Sequence, residues 1–413
     1  MQHAPLVAGY MPELSFEPTR AAGLAKLDSF VATAGKAYAA HRNEDPDPDC
    51  RQHVSMLSPW LHAGLIGERE VLSRVLDTHS ASAADKFISE VFWRVYFKGY
   101  LEQRPTVWSA YLEERDAALA RLDENSGLRR AYDEAVSGKT GIAAFDLWAR
   151  ELVRDGYLHN HARMWFASIW IFTLKLDWTL GADFFLRHLM DGDAASNTLS
   201  WRWVGGLHTK GKTYLARASN IARYTQGRSA GPLLAEGLAK EAPPLEDTQE
   251  HARQLPDLPG ALVPDAPFAL LLHDEAASHE PLALERPPSL IIGAARPGAR
   301  SPEPVGDHAR DFAERAVANG VAAAADHFGC PGIVWKADEA MPGLPDGVST
   351  VLVPWLPIGW TRDALFAPLM QSNATVEWYL DPLSAETWPH AKAGFFGVKK
   401  KMADAMRAVG LPA

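Results

Sequence analysis

Only two cysteines, Cys50 and Cys330, occur in 413 residues. That excludes a disulfide framework and leaves an iron–sulfur cubane without its four thiolates. Long apolar runs are missing too: none reaches the roughly 18–20 residues that a membrane-spanning helix requires, and residues 1–14 show no basic end followed by an apolar stretch. The expectation is a soluble, globular, cytoplasmic protein with no membrane partner, a monomer by default. Excess positive charge is also lacking. A net charge of −10 argues against indiscriminate nucleic-acid binding, because phosphate affinity comes from clustered Lys and Arg.

One segment reverses that balance. Residues 194–230 carry Arg202, Lys210, Lys212, Arg217, Arg223 and Arg228 without a single Asp or Glu, interleaved with Trp201, Trp203, Tyr214 and Tyr224. Cation plus ring is the combination that grips phosphates and stacks bases. The alternative is an ordinary solvated face.

The length allows two or three domains of about 100–200 residues each. From residue 19 to 227 apolar residues recur at three- and four-residue spacing, interrupted at Asp45-Pro46-Asp47-Pro48 and Gly138-Lys139-Thr140-Gly141, which predicts an all-α half. Its most apolar helix candidate spans 143–176, with Phe145, Leu152, Trp165, Ile169 and Phe172, and is expected to be central and buried. Around 240–267 Pro, Glu, Asp and Gln replace the periodicity, the mark of a solvated connection. Short apolar runs follow at 268–272, 289–292, 332–335 and 350–353, alternating with helical stretches such as 307–328. Such alternation predicts a parallel sheet with crossover helices. The expected plan is a helical domain (1–235), a linker (236–266) and a smaller Rossmann-like α/β domain (267–413).

Separated motifs then occur in a telling order: Tyr38, Ser55-Met56-Leu57-Ser58-Pro59, Glu90-Val91-Phe92-Trp93-Arg94, Thr140-Gly141, His159-Asn160-His161-Ala162-Arg163-Met164, Asp191-Gly192-Asp193, Asn197 and Trp201-Arg202-Trp203. Together they resemble the photolyase/cryptochrome family, most of all cyclobutane-dimer photolyases, over residues 19–228. The resemblance implies FAD, held by Tyr38, Ser55, Met56, Leu57, Ser58, Arg163, Asp191, Gly192, Asp193 and Asn197. The serine turn would cradle the diphosphate at a helix start, where free N–H donors point outward; read alone, the same string is a helix cap. Asp191 would pair with Arg163, Asp193 would accept from the cofactor, and Asn197 would stand nearest flavin N5, an amide where plant cryptochromes have Asp.

The resemblance further implies a pocket for a flipped pyrimidine dimer in damaged DNA, lined by Glu90, Trp93, Asn160, His161, Met164 and Trp203, with Arg42, Arg94 and Gln226 at its margin. Asn160 and Met164 are four apart on one helix and share a face. Trp108, Trp178 and Trp201 correspond to the family's electron-transfer tryptophans; read alone, they are core aromatics. The implied activity is that of a light-driven carbon–carbon lyase, in which reduced FAD passes an electron to the dimer. The competing reading is a cryptochrome-type photoreceptor without repair.

Two strings point elsewhere. Gly206-Leu207-His208-Thr209-Lys210-Gly211-Lys212-Thr213 matches the P-loop pattern of a nucleotide triphosphatase, but a P-loop needs a buried strand before it and a helix after it. His159 and His161 stand two apart, about 200° around a helix, and cannot share an ion, so no metal site is expected there.

The chain also departs from the family. Val54 stands where Thr is usual, Val95 where an acid is common, and His161 where Arg is usual; the stretch 214–227 is longer and lacks its Asn-Pro turn. The α/β half follows the helical one, and its close, Gly394-Phe395-Phe396-Gly397-Val398-Lys399-Lys400-Lys401, resembles the segment that ends the family's antenna domain. The expectation is a circular permutation with the α/β half docked as an antenna domain would be, which leaves open an unidentified second chromophore.

Overall fold

A computed structural model describes residues 16–247, 249–260 and 263–413. Helices from Arg20–Val31 to Ala218–Tyr224 form the first half, and the second holds five parallel strands. Local chemistry sets several helix starts. Thr19 Oγ1 accepts from Ala22 N, Asn125 Oδ1 from Leu128 N and Asp193 Oδ1 from Ser196 N, each satisfying a donor that a first helical turn leaves open.

The stretch 143–176 is buried but is not one helix. Gly156 adopts φ 60° and closes Ala143–Asp155; a second helix, Asn160–Ser168, runs on into the π-helical turn Ile169–Thr173. Left-handed backbone favours glycine. A Cβ at this position would also lie 3.1 Å from both His308 and Met190 side chains. The break makes His159 an N-cap whose Nδ1 accepts from His161 N, starting a fresh helix at Asn160.

The strands are β1 (Phe268–His273), β2 (Leu290–Ala294), β3 (Gly332–Val334), β4 (Thr350–Pro354) and β5 (Thr375–Tyr379), in the order β3-β2-β1-β4-β5. The three inner strands are buried throughout, which is why they read as unbroken apolar runs. β5 is a partly exposed edge strand, and no run announced it in the sequence. Helix Asp307–Phe328 covers one face so closely that a Cβ on Gly293 would lie 2.4 Å from Val321.

The order reverses between β1 and β4. An open α/β sheet usually offers its ligand crevice there, beyond the strands' carboxyl ends. Here the helical half fills it. A Cβ on Gly64 would lie 2.6 Å from the Glu275 carbonyl, Ala277 N donates to Ala63 O at 2.7 Å, and Lys98 Nζ reaches Glu275 at 2.5 Å. One apolar core accordingly runs through both halves, joining Leu27, Trp60 and Phe92 to Leu270, Ile291 and Val317. No helix among the described residues is long and apolar enough to cross a membrane.

Candidate functional site

The serine turn carries backbone strain. Met56 has φ 54° and Leu57 follows at φ −82°, ψ −8°, a left-handed residue before a right-handed one. Such a pair turns successive N–H groups to one side and makes a concave anion site. A non-glycine residue there costs about 1–3 kcal/mol, and the buried Met56 side chain helps hold it. The helix that follows, Ser58–His62, is five residues long, so the N–H nest rather than a helix dipole is what this turn offers a phosphate.

Three distant segments meet beside it. Arg163 donates to both oxygens of Asp191, at 3.2 and 2.9 Å, and the Ser58 hydroxyl bonds the same carboxylate. Burial would raise the Asp191 carboxyl, but Arg163 and Ser58 outweigh it and hold it below the usual range. Asp193 caps helix Ala194–Val204 with one oxygen; the other takes Arg94 at 2.9 Å, with Lys98 at 3.5 Å and His62 Nδ1 at 3.6 Å. Against its burial, Arg94 and Lys98 keep this carboxyl well below the usual range. His62, Asp193 and Glu275 have ligand atoms close enough for a metal. Arg94 and Lys98 already pair with both carboxylates, and Arg94 is shared with Glu68 at 2.8 Å.

The α/β half grips this loop directly. The Arg300 guanidinium donates to the Leu189 carbonyl at 2.7 Å and reaches those of Leu186 and Met190, while Trp360 Nε1 donates to Gly192 O at 2.8 Å. Both side chains are 1% exposed. A Cβ on Gly192 would lie 2.5 Å from Arg300, so this glycine is required by the approach of the second half. The sequence reading missed Arg300, Trp360, Glu275, His62 and Lys98. Lys98 alone carried a signal, one helical turn beyond Arg94 on the same face.

Other expected residues scatter between two environments. Arg42 bonds Glu90 at 2.5 Å beside Tyr38; burial raises the Glu90 carboxyl in spite of that guanidinium. Asn160 is exposed and Met164 half-buried. His161 stacks on Trp165 at 4.1 Å and meets the Tyr214 hydroxyl at 3.2 Å; burial pushes it down to about 4. Trp203 stacks on Tyr214. Trp93 stacks on Phe395 of the C-terminal segment, with centroids 4.1 Å apart and planes at 13°. Asn197 Nδ2 donates to Ala182 O at 2.8 Å. Trp201 packs against Phe166, Trp170 and Phe185, and Trp178 and Trp108 are joined through Tyr111, at 5.8 and 5.1 Å. Trp108 Nε1 donates to Asp363 of the α/β half. Gln226 is exposed.

The basic stretch is smaller than it looked. Arg202 is buried against Asp247, and Arg228 bonds Asp45 and Glu151. Lys210, Lys212, Arg217 and Arg223 remain exposed. The P-loop reading fails on context: residues 206–213 follow helix Ala194–Val204, and the chain stays irregular until Ala218.

Residues 87–230 match the family described as FAD binding domain of DNA photolyase. The helical half is thus similar to the FAD-binding domain of photolyases, and the match covers about a third of the chain. Over 157 residues it is 36% identical to a deoxyribodipyrimidine photo-lyase of Streptomyces griseus, covering 38% of this chain and 33% of the relative. An enzyme of the same name from Agrobacterium fabrum is 34% identical over 193 residues, covering 46% and 38%. The chain therefore spans little more than a third of these relatives' length. Among solved structures, a Synechocystis cryptochrome aligns at TM-score 0.43 and 24% identity, over 52% of this chain and 45% of that one. A class III photolyase from Agrobacterium tumefaciens aligns at 0.41 and 27%, over 50% and 42%.

Proposed function

We propose that the helical half binds FAD noncovalently and that the protein uses it for blue-light-driven repair of pyrimidine dimers in DNA. The observation that carries this reading is the meeting of the strained Ser55–Ser58 turn with Arg163 and Asp191. A nest of N–H donors suits a diphosphate, and a charge-paired acidic loop suits the polar edge of a flavin. Once bound and reduced, FAD supplies the light-driven electron. The chain's own part is to bind and orient. Met56 and Ser58 present donors to the phosphates, Leu57 N would exchange its 3.4 Å bond to Ser55 Oγ for a phosphate oxygen, Arg163 keeps Asp191 ionised, and the Asn197 side chain, fixed by Ala182, presents a neutral amide one helical turn before Trp201. Glu90, Asn160 and Met164 form the substrate side, and Lys210, Lys212, Arg217 and Arg223 supply phosphate contacts.

The α/β half, in this reading, is the family's antenna domain permuted to the C-terminal side. Its docking against the acidic loop and its parallel β3-β2-β1-β4-β5 sheet support that. A photoreceptor of cryptochrome type is the second reading, favoured by the Trp93–Phe395 stack, which places an intramolecular ring on a residue assigned to the lesion. The test is repair of dimer-containing single- and double-stranded oligonucleotides under blue light by flavin-loaded protein. Turnover that requires light supports repair; flavin uptake and photoreduction without turnover would transfer the assignment to the photoreceptor.

A further inference from the structure

We propose a divalent transition-metal site, fitted to zinc, formed by His41, Glu44 and His53 on the outer rim of the helical half. One donor atom from each lies within 4.8 Å of the others. His41 Nδ1 and Glu44 Oε1 are already 2.9 Å apart, near the separation of about 3.3 Å between two ligands on a tetrahedral zinc. The His53 ring stacks on His41 with centroids 4.7 Å apart and planes at 28°. Its Nδ1 is shielded from solvent yet has no hydrogen-bond partner among the described residues. An orphaned imidazole nitrogen beside an imidazole–carboxylate pair is an unfilled ligand set, and two His with one Glu is a combination that zinc takes.

The backbone between the donors is held in place. Asp45 and Arg51 are fully buried and paired with each other at 2.9 Å, and Arg228 and Glu151 complete the ion network. Asp45 N also donates to Tyr224 O at 2.8 Å. Glu44 precedes this anchor and His53 follows it by two residues, so both ends of the site are fixed by a structure that exists without the ion. Preorganisation of this kind lowers the ordering cost of binding. The ion would join the end of helix Lys36–His41 to the turn at 51–53 and leave a fourth position for water. No proton transfer or redox step is involved, and the proposal does not depend on the flavin reading.

The test uses untagged, full-length, chelator-stripped protein titrated with zinc by calorimetry and with cobalt by visible absorption. A single saturable site with a tetrahedral cobalt spectrum is expected. His53→Ala and His41→Ala should each weaken it by at least the roughly 10–100-fold that loss of a supporting partner costs at metal sites, and Glu44→Gln by less. His279 and His327, whose rings also stand 4.7 Å apart, are the competing zinc ligands; His279→Ala should leave the measured site unchanged. The substituted side chains lie at the rim, so unfolding temperature without metal serves as the folding control. No saturable binding at up to about 0.1 mM zinc, far above the dissociation constants of structural zinc sites, or equal binding by the His41→Ala/His53→Ala double variant, overturns the proposal.

Discussion

The two halves spend their polar groups in opposite ways. The helical half concentrates strain and buried charge around its serine turn and acidic loop: Met56 in left-handed backbone, Arg163 on Asp191, Arg94 on Asp193. The α/β half has an ordinary parallel sheet whose usual ligand crevice is closed by Gly64, Ala63 and Lys98 of its neighbour. In the proposed reading one half keeps its irregularity for a ligand, while the other gives its sheet crevice to a docking face, and architecture alone would point to the wrong half.

The comparison breaks most visibly at the buried ion network of the helical half. Arg228→Met leaves Asp45 and Glu151 without that guanidinium, and urea unfolding should show a loss of about 3–5 kcal/mol. Trp360→Ala empties a fully buried site of the second half and should cost a similar 3–5 kcal/mol. Trp360→Phe is the sharper variant. It keeps a six-membered ring but removes the rest of the indole together with the hydrogen bond to Gly192, so stability should fall by about 1–3 kcal/mol while flavin retention on a desalting column falls with it. Retained flavin in Trp360→Phe would mean that the bond to Gly192 is not needed and that Arg300 suffices to hold the loop.

Acid should separate the halves as well. In the helical half burial pushes His159 down to about 3 and His161, His188 and His208 to about 4. Each binds a proton more readily when unfolded, so the stability it contributes is present above about pH 6.5 and is lost as pH falls towards 4. Burial raises Asp274 of the α/β half to about 7 and Asp381 to about 6, and it raises Glu102 of the helical half to about 7, which offsets part of the histidine effect there. These carboxyls act in the opposite sense, and their contribution grows as pH falls from 7 towards 4. His273, pushed down to about 4, offsets part of that. Hydrogen exchange between pH 7 and 5 should therefore show the helices around residues 159–208 losing protection before the sheet; the reverse order would refute the assignment. The smallest effect belongs to Lys212→Ala, which should change stability by less than about 0.5 kcal/mol and create or abolish no ATP turnover.

Much of the fold was legible because burial on both faces writes itself as uninterrupted apolar residues, as at 268–272 and 350–353. β5 was not, since Glu377 sits within a half-exposed edge. The 143–176 segment looked continuous because a glycine within a helical pattern does not declare its φ. Arg202 and Arg228 were counted towards a basic surface, for nothing local to them reveals Asp247, Asp45 or Glu151 as partners. The candidate site was legible only where both partners carry motif residues, as with Arg163 and Asp191. Arg300 and Trp360 act on backbone carbonyls from more than 100 residues away, and a carbonyl leaves no trace in a sequence.

The grip of Arg300 and Trp360 on the 189–192 carbonyls also orders events in time. On a ribosome the acidic loop emerges about 170 residues before Trp360, which at roughly 5–20 residues per second is a delay of about 10–30 s. During that interval the helices can collapse, but the loop lacks the two side chains that fix its backbone. If the loop holds the cofactor proposed above, loading is a late step that waits for the sheet to close over the bundle, and a ribosome stalled before residue 300 would carry a helical half that has not yet set its loop.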